Sequence, residues 1–223
     1  MRVYAINLDG AFARVKRALA EHRLLLLTDK TLPSLVTIVA GEPVAGSWWA
    51  HRLGREIFAV SQRLRDDPDA AMLKLVNGKT TFVHRFLWPA LQAVGSAQAP
   101  WQMDGLTPAA RGLLDDLQSL GCARADRLSP NRPRREVGQD VRRLESRLLV
   151  FATEVHTESG AHLKQLETWA HWADRVGLDA SVRPTLDAAT AEFDDICARL
   201  AHRYGSLASA PWSGGLPKTD PPR

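Results

Sequence analysis

The chain is poor in the residues and runs that mark several large function classes. Its 223 residues include only two cysteines, Cys122 and Cys197. They stand far apart, with no CxxC or Cys/His spacing around either, which excludes a zinc ribbon and leaves two reduced, partly buried thiols as the expectation. No apolar run approaches the roughly 20 residues that cross a bilayer; the longest candidate, Leu24 to Leu27, is the length of a short buried strand. The start, MRVYAINLDG, lacks the basic and apolar stretches of a secretory signal, so the expected location is the cytoplasm, with no membrane partner. There is no GxGxxG or Walker sequence to cradle a phosphate, so neither nucleotide-driven chemistry nor a cofactor is expected. GxSxG is missing too, so Ser159 is not on a nucleophile elbow.

What is present is an ordinary globular composition, 45% hydrophobic and 24% charged, enough for one large core or two small ones. The formal net charge is only +4. Its distribution says more. Between Arg124 and Arg147 eight arginines (124, 127, 132, 134, 135, 142, 143, 147) face four acids (Asp126, Glu136, Asp140, Glu145), an excess of 8 − 4 = +4. Residues 187–195 lean acidic, with Asp187, Glu192, Asp194 and Asp195. A basic stretch of this kind suits a polyanion.

Apolar spacing organises the chain. Phe12, Val15, Ala18 and Leu19 predict a helix over 11–22, followed by the short strand and a second helix over 33–40 that Gly41 stops. After the loop GEPVAGSWWAH, a helix over 52–65 carries the stripe Leu53, Ile57, Val60, Leu64. AMLKLV-NG-KTTFVH then reads as a hairpin, because Asn and Gly both tolerate the positive φ of a two-residue turn. A two-residue loop pairs Val76 with Lys79, Leu75 with Thr80, Leu73 with Phe82 and Met72 with Val83. It puts Leu73, Leu75, Phe82 and His84 on one face and Lys74, Lys79 and Thr81 on the other. A helix over 87–94 closes this set.

Helix, strand, helix, helix, hairpin is the order of a winged helix, and a similar order recurs. Thr107-Pro108 starts a helix with the stripe Ala110, Leu113, Leu114, Leu117. Val137, Val141, Leu144 and Leu148 repeat the spacing of the earlier stripe, and LLVFATEVH-TESG-AHLKQL reads as a second hairpin. The middle helix of this second set is short or missing. The expected fold is therefore α+β, mostly helical, with two tandem winged-helix-like units and C-terminal helices. Residues 1–96 make the first unit, 97–106 a linker, 107–176 the second unit, 177–204 a C-terminal helix and 205–223 a disordered tail on which Trp212 alone rests against the body.

Three groups of residues carry candidate chemistry. Winged helices place their third helix in the major groove, which nominates Arg52, Arg55 and Gln62, and Arg135, Gln139 and Arg142. The first hairpin adds Lys74, Lys79 and Arg85. Such cations neutralise phosphates, and arginine and glutamine also read base edges, which makes double-stranded DNA the expected partner. The second group is aromatic and polar: Trp48, Trp49, His51, His84 and Trp88, a set that can form a pocket. Two adjacent tryptophans cannot both face one core, so one is expected to pack and the other to line a pocket or stack on a base. The third is EVHTESGAH, where His156, Glu158, Ser159 and His162 surround a turn. His156, Glu158 and His51 are the candidates for general acid or base; no metal site is expected.

Together, GEPVAGSWWAH (41–51), KLVNGKTTFVHRFLWPAL (74–91) and the stretch 106–169 with ESRLLVFATEVHTESGAH resemble the winged-helix crosslink-repair DNA glycosylases, the AlkZ/YcaQ-like family. The resemblance spans roughly residues 24–172 and implies tandem winged helices and a DNA-associated role, possible base excision included. Those glycosylases are larger, with three such units, and their catalytic pattern is glutamine, an aliphatic residue, then glutamine or aspartate near the first unit. Gln102-Met103-Asp104 matches the pattern but lies before the second unit, so the family's catalytic residues are not carried over. Two other readings stand beside a DNA-associated protein: a small enzyme using the aromatic and histidine pocket between the units, and a protein-interaction module.

Overall fold

The structure, a computed structural model, describes residues 7–156 and 162–213. It is α+β and mostly helical, with two small three-stranded antiparallel sheets. The chain divides into two compact units, Met1–Trp88 with Glu192–Gly214, and Pro89–Ala191 with Gly215–Arg223.

Unit 1 runs α1 (Leu8–His22), β1 (Leu24–Leu26), α2 (Leu35–Ala40), α3 (Gly54–Arg65), β2 (Ala70–Lys74) and β3 (Thr80–His84). Its helices begin and end where local chemistry dictates. The Asn7 side chain accepts from the Gly10 amide and Ser34 from Thr37, filling orphan donors of the first turn. Gly41 stops α2 at φ 82°, a conformation open to a residue without Cβ. The apolar stripes meet as one core: Val15 and Leu19 of α1, Leu35 and Val39 of α2, and Ile57, Val60 and Leu64 of α3 close over Leu25 and Phe82 of the sheet. Each such large side chain, once buried, contributes about 1.5–3 kcal/mol. The sheet order is β1-β3-β2.

The first hairpin forms, but one residue out of the expected register. Lys74 pairs with Thr80, Met72 with Phe82 and Ala71 with Val83. Asn77 (φ 53°) and Gly78 (φ 67°) do take the left-handed conformations expected of the turn. The slip comes from a bulge beside it. Leu75 and Val76 both stand opposite Lys79; the Leu75 amide donates to Lys79 O (3.1 Å) and the Val76 amide turns to Thr81 Oγ1 (3.2 Å). The bulge turns both Leu75 and Val76 into the interior. In consequence Lys74 shares a face with Phe82, and Leu73 lies opposite Thr81 on the other face.

Between the two sets lie α4 (Trp88–Gly95) and α5 (Pro100–Met103). Residues 97–106 are therefore not a linker. Gln102 is fully buried: its Oε1 accepts from the Ala99 amide (2.9 Å) and its Nε2 donates to Arg147 O (2.9 Å).

Unit 2 repeats the order of unit 1: α6 (Pro108–Leu120), β4 (Cys122–Arg124), α7 (Ala125–Leu128), α8 (Arg134–Ser146), β5 (Phe151–His156) and β6 (His162–Glu167), with sheet order β4-β6-β5. The middle helix is present as the four residues of α7. Leu113, Leu114 and Leu117 of α6 pack with Val137, Val141 and Leu144 of α8 over Leu166. Then follow α9 (Trp169–Arg175), capped by Thr168, and α10 (Leu186–Tyr204), which ends where the C-terminal helix is expected to end.

Residues 205–213, expected to be disordered, are held to unit 1. Asn77 at the hairpin turn donates from its amide to Ser209 O (2.9 Å) and from Nδ2 to Leu207 O (2.8 Å), and its Oδ1 accepts from Ser209 N (3.0 Å) and Oγ (3.1 Å). Ala208 and Ala210 are buried, and Trp212 stands edge-on to Phe193 and donates to Asp194 (3.1 Å).

Candidate nucleic-acid interface

The basic residues named from sequence divide sharply once their neighbours are known. In unit 1, Lys79 is bound to the nearly buried Asp29 at 2.6 Å, and Arg85 to Asp69 at 3.3 Å. Asp69 also takes Lys16, which reaches Asp67 as well. These lysine contacts hold the Asp69 carboxyl below its usual pKa; at Asp29 the Lys79 ammonium and the Thr31 and Leu32 amides prevail over burial to the same effect. The turn itself is occupied by Ser209. Lys79 and Arg85, both nominated as phosphate ligands, thus each hold an acid of the unit's own structure. Lys74, Arg52 and Arg55 stay exposed, and Gln62 is half-buried.

The arginine-rich stretch of unit 2 divides in the same way. Of the eight arginines, Arg124 pairs with Asp126 at 2.7 Å. Arg132 and Arg143 close on Asp140, at 2.7 and 3.2 Å. Asp140 is 3% exposed and also accepts from Thr107 Oγ1 (3.2 Å), so it locks the loop before α8 to the helix itself. The Arg147 guanidinium donates to the carbonyls of Trp101, Gln102 and Asp104, and burial lowers its pKa. The remaining four, Arg127, Arg134, Arg135 and Arg142, are exposed and make no ion pair among the described residues. Arg135, Gln139 and Arg142 fall at i, i+4 and i+7, one stripe on the side of α8 away from Val137, Val141 and Leu144. Gly138 stands within that stripe, and a Cβ there would meet only the end of Arg142, at 3.7 Å.

The aromatic and histidine group of unit 1 does not gather into one pocket. Trp48 and Trp49 lie in a 3-10 turn (Trp48–Ala50) before the N-terminus of α3, and His51 Nδ1 accepts from the Leu53 amide in the same turn. His84 lies beyond the other end of α3, which is about 18 Å long: it pairs with Ala70, Arg23 approaches its Nδ1 (3.3 Å), and that nitrogen faces the Phe86 amide (3.4 Å). Trp88 is buried and donates from Nε1 to Val83 O (3.2 Å). Burial, then the Arg23 guanidinium, lowers the His84 pKa. Of the tryptophan pair, Trp48 packs against the core and Trp49 is 62% exposed, the division expected of two adjacent indoles.

In unit 2, His156 and His162 are directly paired across β5 and β6. Glu158 and Ser159 lie outside the described residues. Gln102, of the glycosylase-like triplet, spends its side-chain amide on backbone groups, as described above. Cys197 is buried, which pushes its thiol up to about 12, away from any reactive thiolate at neutral pH. Among the described residues no helix is long and apolar enough to cross a membrane.

No family model, curated protein or solved structure matches the chain.

Proposed function

We propose that the chain is a tandem winged-helix protein, related to the crosslink-repair DNA glycosylases, that binds double-stranded DNA chiefly through α8. The observation that carries this reading is the set of four exposed arginines on and just before α8, without an ion pair among the described residues, beside a helix stripe that adds Gln139. The repeated order helix, strand, helix, helix, hairpin supports the winged-helix assignment, since α3 and α8 are the third helices of their units, the ones such folds present to a groove. Arg135 and Arg142 contact phosphates or guanine edges, and Gln139 suits an adenine edge. In unit 1 two of the three hairpin cations, Lys79 and Arg85, are already paired with Asp29 and Asp69, while Lys74 stays exposed.

The test is anisotropy of a labelled duplex titrated at several salt concentrations. Four phosphate contacts give a log–log slope of about −3.6. Arg135→Glu with Arg142→Glu should weaken binding and flatten that slope by roughly 2. Unchanged affinity and slope in the double variant would remove α8 as the contact surface.

A further inference from the structure

The tryptophan turn of unit 1 carries a second site. Trp48 and Trp49 stack with ring centroids 4.1 Å apart and planes 24° from parallel, and Phe58 lies 5.3 Å from Trp49. Trp49 nevertheless remains 62% exposed and Phe58 40%. Three contiguous rings of which two face water differ from a scattered surface hydrophobe, which needs no explanation.

The turn is built to hold this arrangement. The Ala50 amide donates to Ser47 O (3.1 Å), His51 to Trp48 O (3.1 Å) and Gly54 to His51 O (2.8 Å). Gly54 is the first residue of α3, and a Cβ there would stand 2.8 Å from Trp49 O and 3.2 Å from Trp48 O. Only glycine lets the helix start press directly against the tryptophan backbone. Trp48, packed against the core, then serves as a fixed backing for Trp49.

Charge decides the occupant. Arg52, three residues after Trp49, and Arg55, one helical turn before Phe58, are both exposed. The acid of that turn, Glu56, lies about 160° round the helix from Phe58. Flat, exposed rings flanked by guanidinium groups suit a base that stacks while its phosphates meet the cations. We propose that Trp49, backed by Trp48 and flanked by Arg52 and Arg55, is a stacking platform for an unpaired base of single-stranded nucleic acid. The site stands on unit 1 alone and does not require α8.

Quenching of tryptophan fluorescence by oligothymidylate, with the full chain, tests it. Trp49→Ala should weaken binding about tenfold or more, and Trp49→Phe by less, since a phenyl ring still stacks. Arg52→Glu with Arg55→Glu should weaken it and flatten the salt slope by about 1.4, the value for two contacts to a single strand. Arg135→Glu with Arg142→Glu should leave it intact, which separates this site from the duplex reading. Far-UV circular dichroism identifies any variant that fails to fold, and the arginine pair then carries the test. The proposal is overturned if the wild type shows no quenching, if Trp49→Ala binds like wild type, or if the α8 variant abolishes binding. It is equally overturned if oligothymidylate fails to bind while sedimentation shows self-association that Trp49→Ala removes, because the platform is then a contact between copies.

Discussion

Two glycines in helices of unit 2 should respond in opposite directions to the same substitution. Replacing a helical glycine by alanine ordinarily stabilises by about 0.5–1 kcal/mol, because alanine loses less backbone freedom. Gly112 in α6 is exposed, and a Cβ there would meet nothing. Gly112→Ala should gain that full amount. Gly95 closes α4, and a Cβ there would overlap Cε2, Nε1 and Cδ2 of Trp169. Trp169 cannot easily retreat. It is 3% exposed, stands edge-on to Trp172 and Phe151, and donates from Nε1 to Leu148 O at 2.7 Å.

Forcing a methyl against a packed side chain costs about 1–3 kcal/mol. Displacing the indole also breaks its buried hydrogen bond, about 1–2 kcal/mol more. Set against a propensity gain of at most about 1 kcal/mol, Gly95→Ala should destabilise by about 2–4 kcal/mol. In urea melts this is a fall in midpoint of roughly 1–3 M, against a small rise for Gly112→Ala. Trp169→Leu in the same chain should make Gly95→Ala far less costly, since the two changes share one contact. A Gly95→Ala variant as stable as wild type, or a double variant whose costs simply add, would refute the packing argument.

Two further outcomes follow from unit 1. Asn77→Gly keeps the left-handed turn but removes the side-chain bonds to Leu207 and Ser209, and should cost about 1–2 kcal/mol. Asn77→Ala should cost about 1 kcal/mol more for the positive φ. Urea midpoints of both variants check this, and equality with wild type would show that the 205–213 segment contributes nothing to unit 1. His84 and His22 both have pKa values below the usual 6.5, held down first by burial. Above pH 6.5 both are neutral in the folded and unfolded chain. As pH falls through 6.5 the unfolded chain takes up protons first, so stability declines from there down to the lower folded-state pKa values. Urea midpoints from about pH 8 to pH 5 should be flat above that point and fall below it, and His22→Gln with His84→Gln should remove most of the fall; an unchanged slope would contradict the assignment.

What the sequence revealed, and what it hid, follows the range of the forces involved. Helix positions were legible because stripes, the Thr107-Pro108 start and the Gly41 stop act within a few residues. Asn77-Gly78 announced the hairpin for the same reason. Its register was not legible, because the bulge answers to the burial of both Leu75 and Val76. The stretch 97–106 reads as a linker by composition, yet Gln102 is tied to Arg147 O, 45 residues on. The 205–213 segment reads as disordered, yet its anchors Asn77 and Asp194 are distant in sequence. For the candidate interface, charge density was visible, but which arginines an internal acid would claim was not.

That last point decides which cations each unit offers a partner. Exposed or half-exposed ion pairs contribute little stability, at most about 1 kcal/mol each. What they change is the field a partner meets. In unit 1, Asp69 answers Lys16 and Arg85 together, Asp29 answers Lys79, Asp9 answers Arg63 and Glu21 answers Arg203. In unit 2, Asp140 is buried and claims Arg132 and Arg143, which fixes the loop before α8 and leaves Arg134, Arg135 and Arg142 without an answering acid among the described residues. In each unit, internal acids thus claim some of the cations and leave others exposed, among them Arg52, Arg55 and Lys74 of unit 1. In the proposed reading the placement of these acids, rather than the number of basic residues, decides which cations of each unit can meet duplex DNA, and on α8 it leaves Arg134, Arg135 and Arg142 to do so.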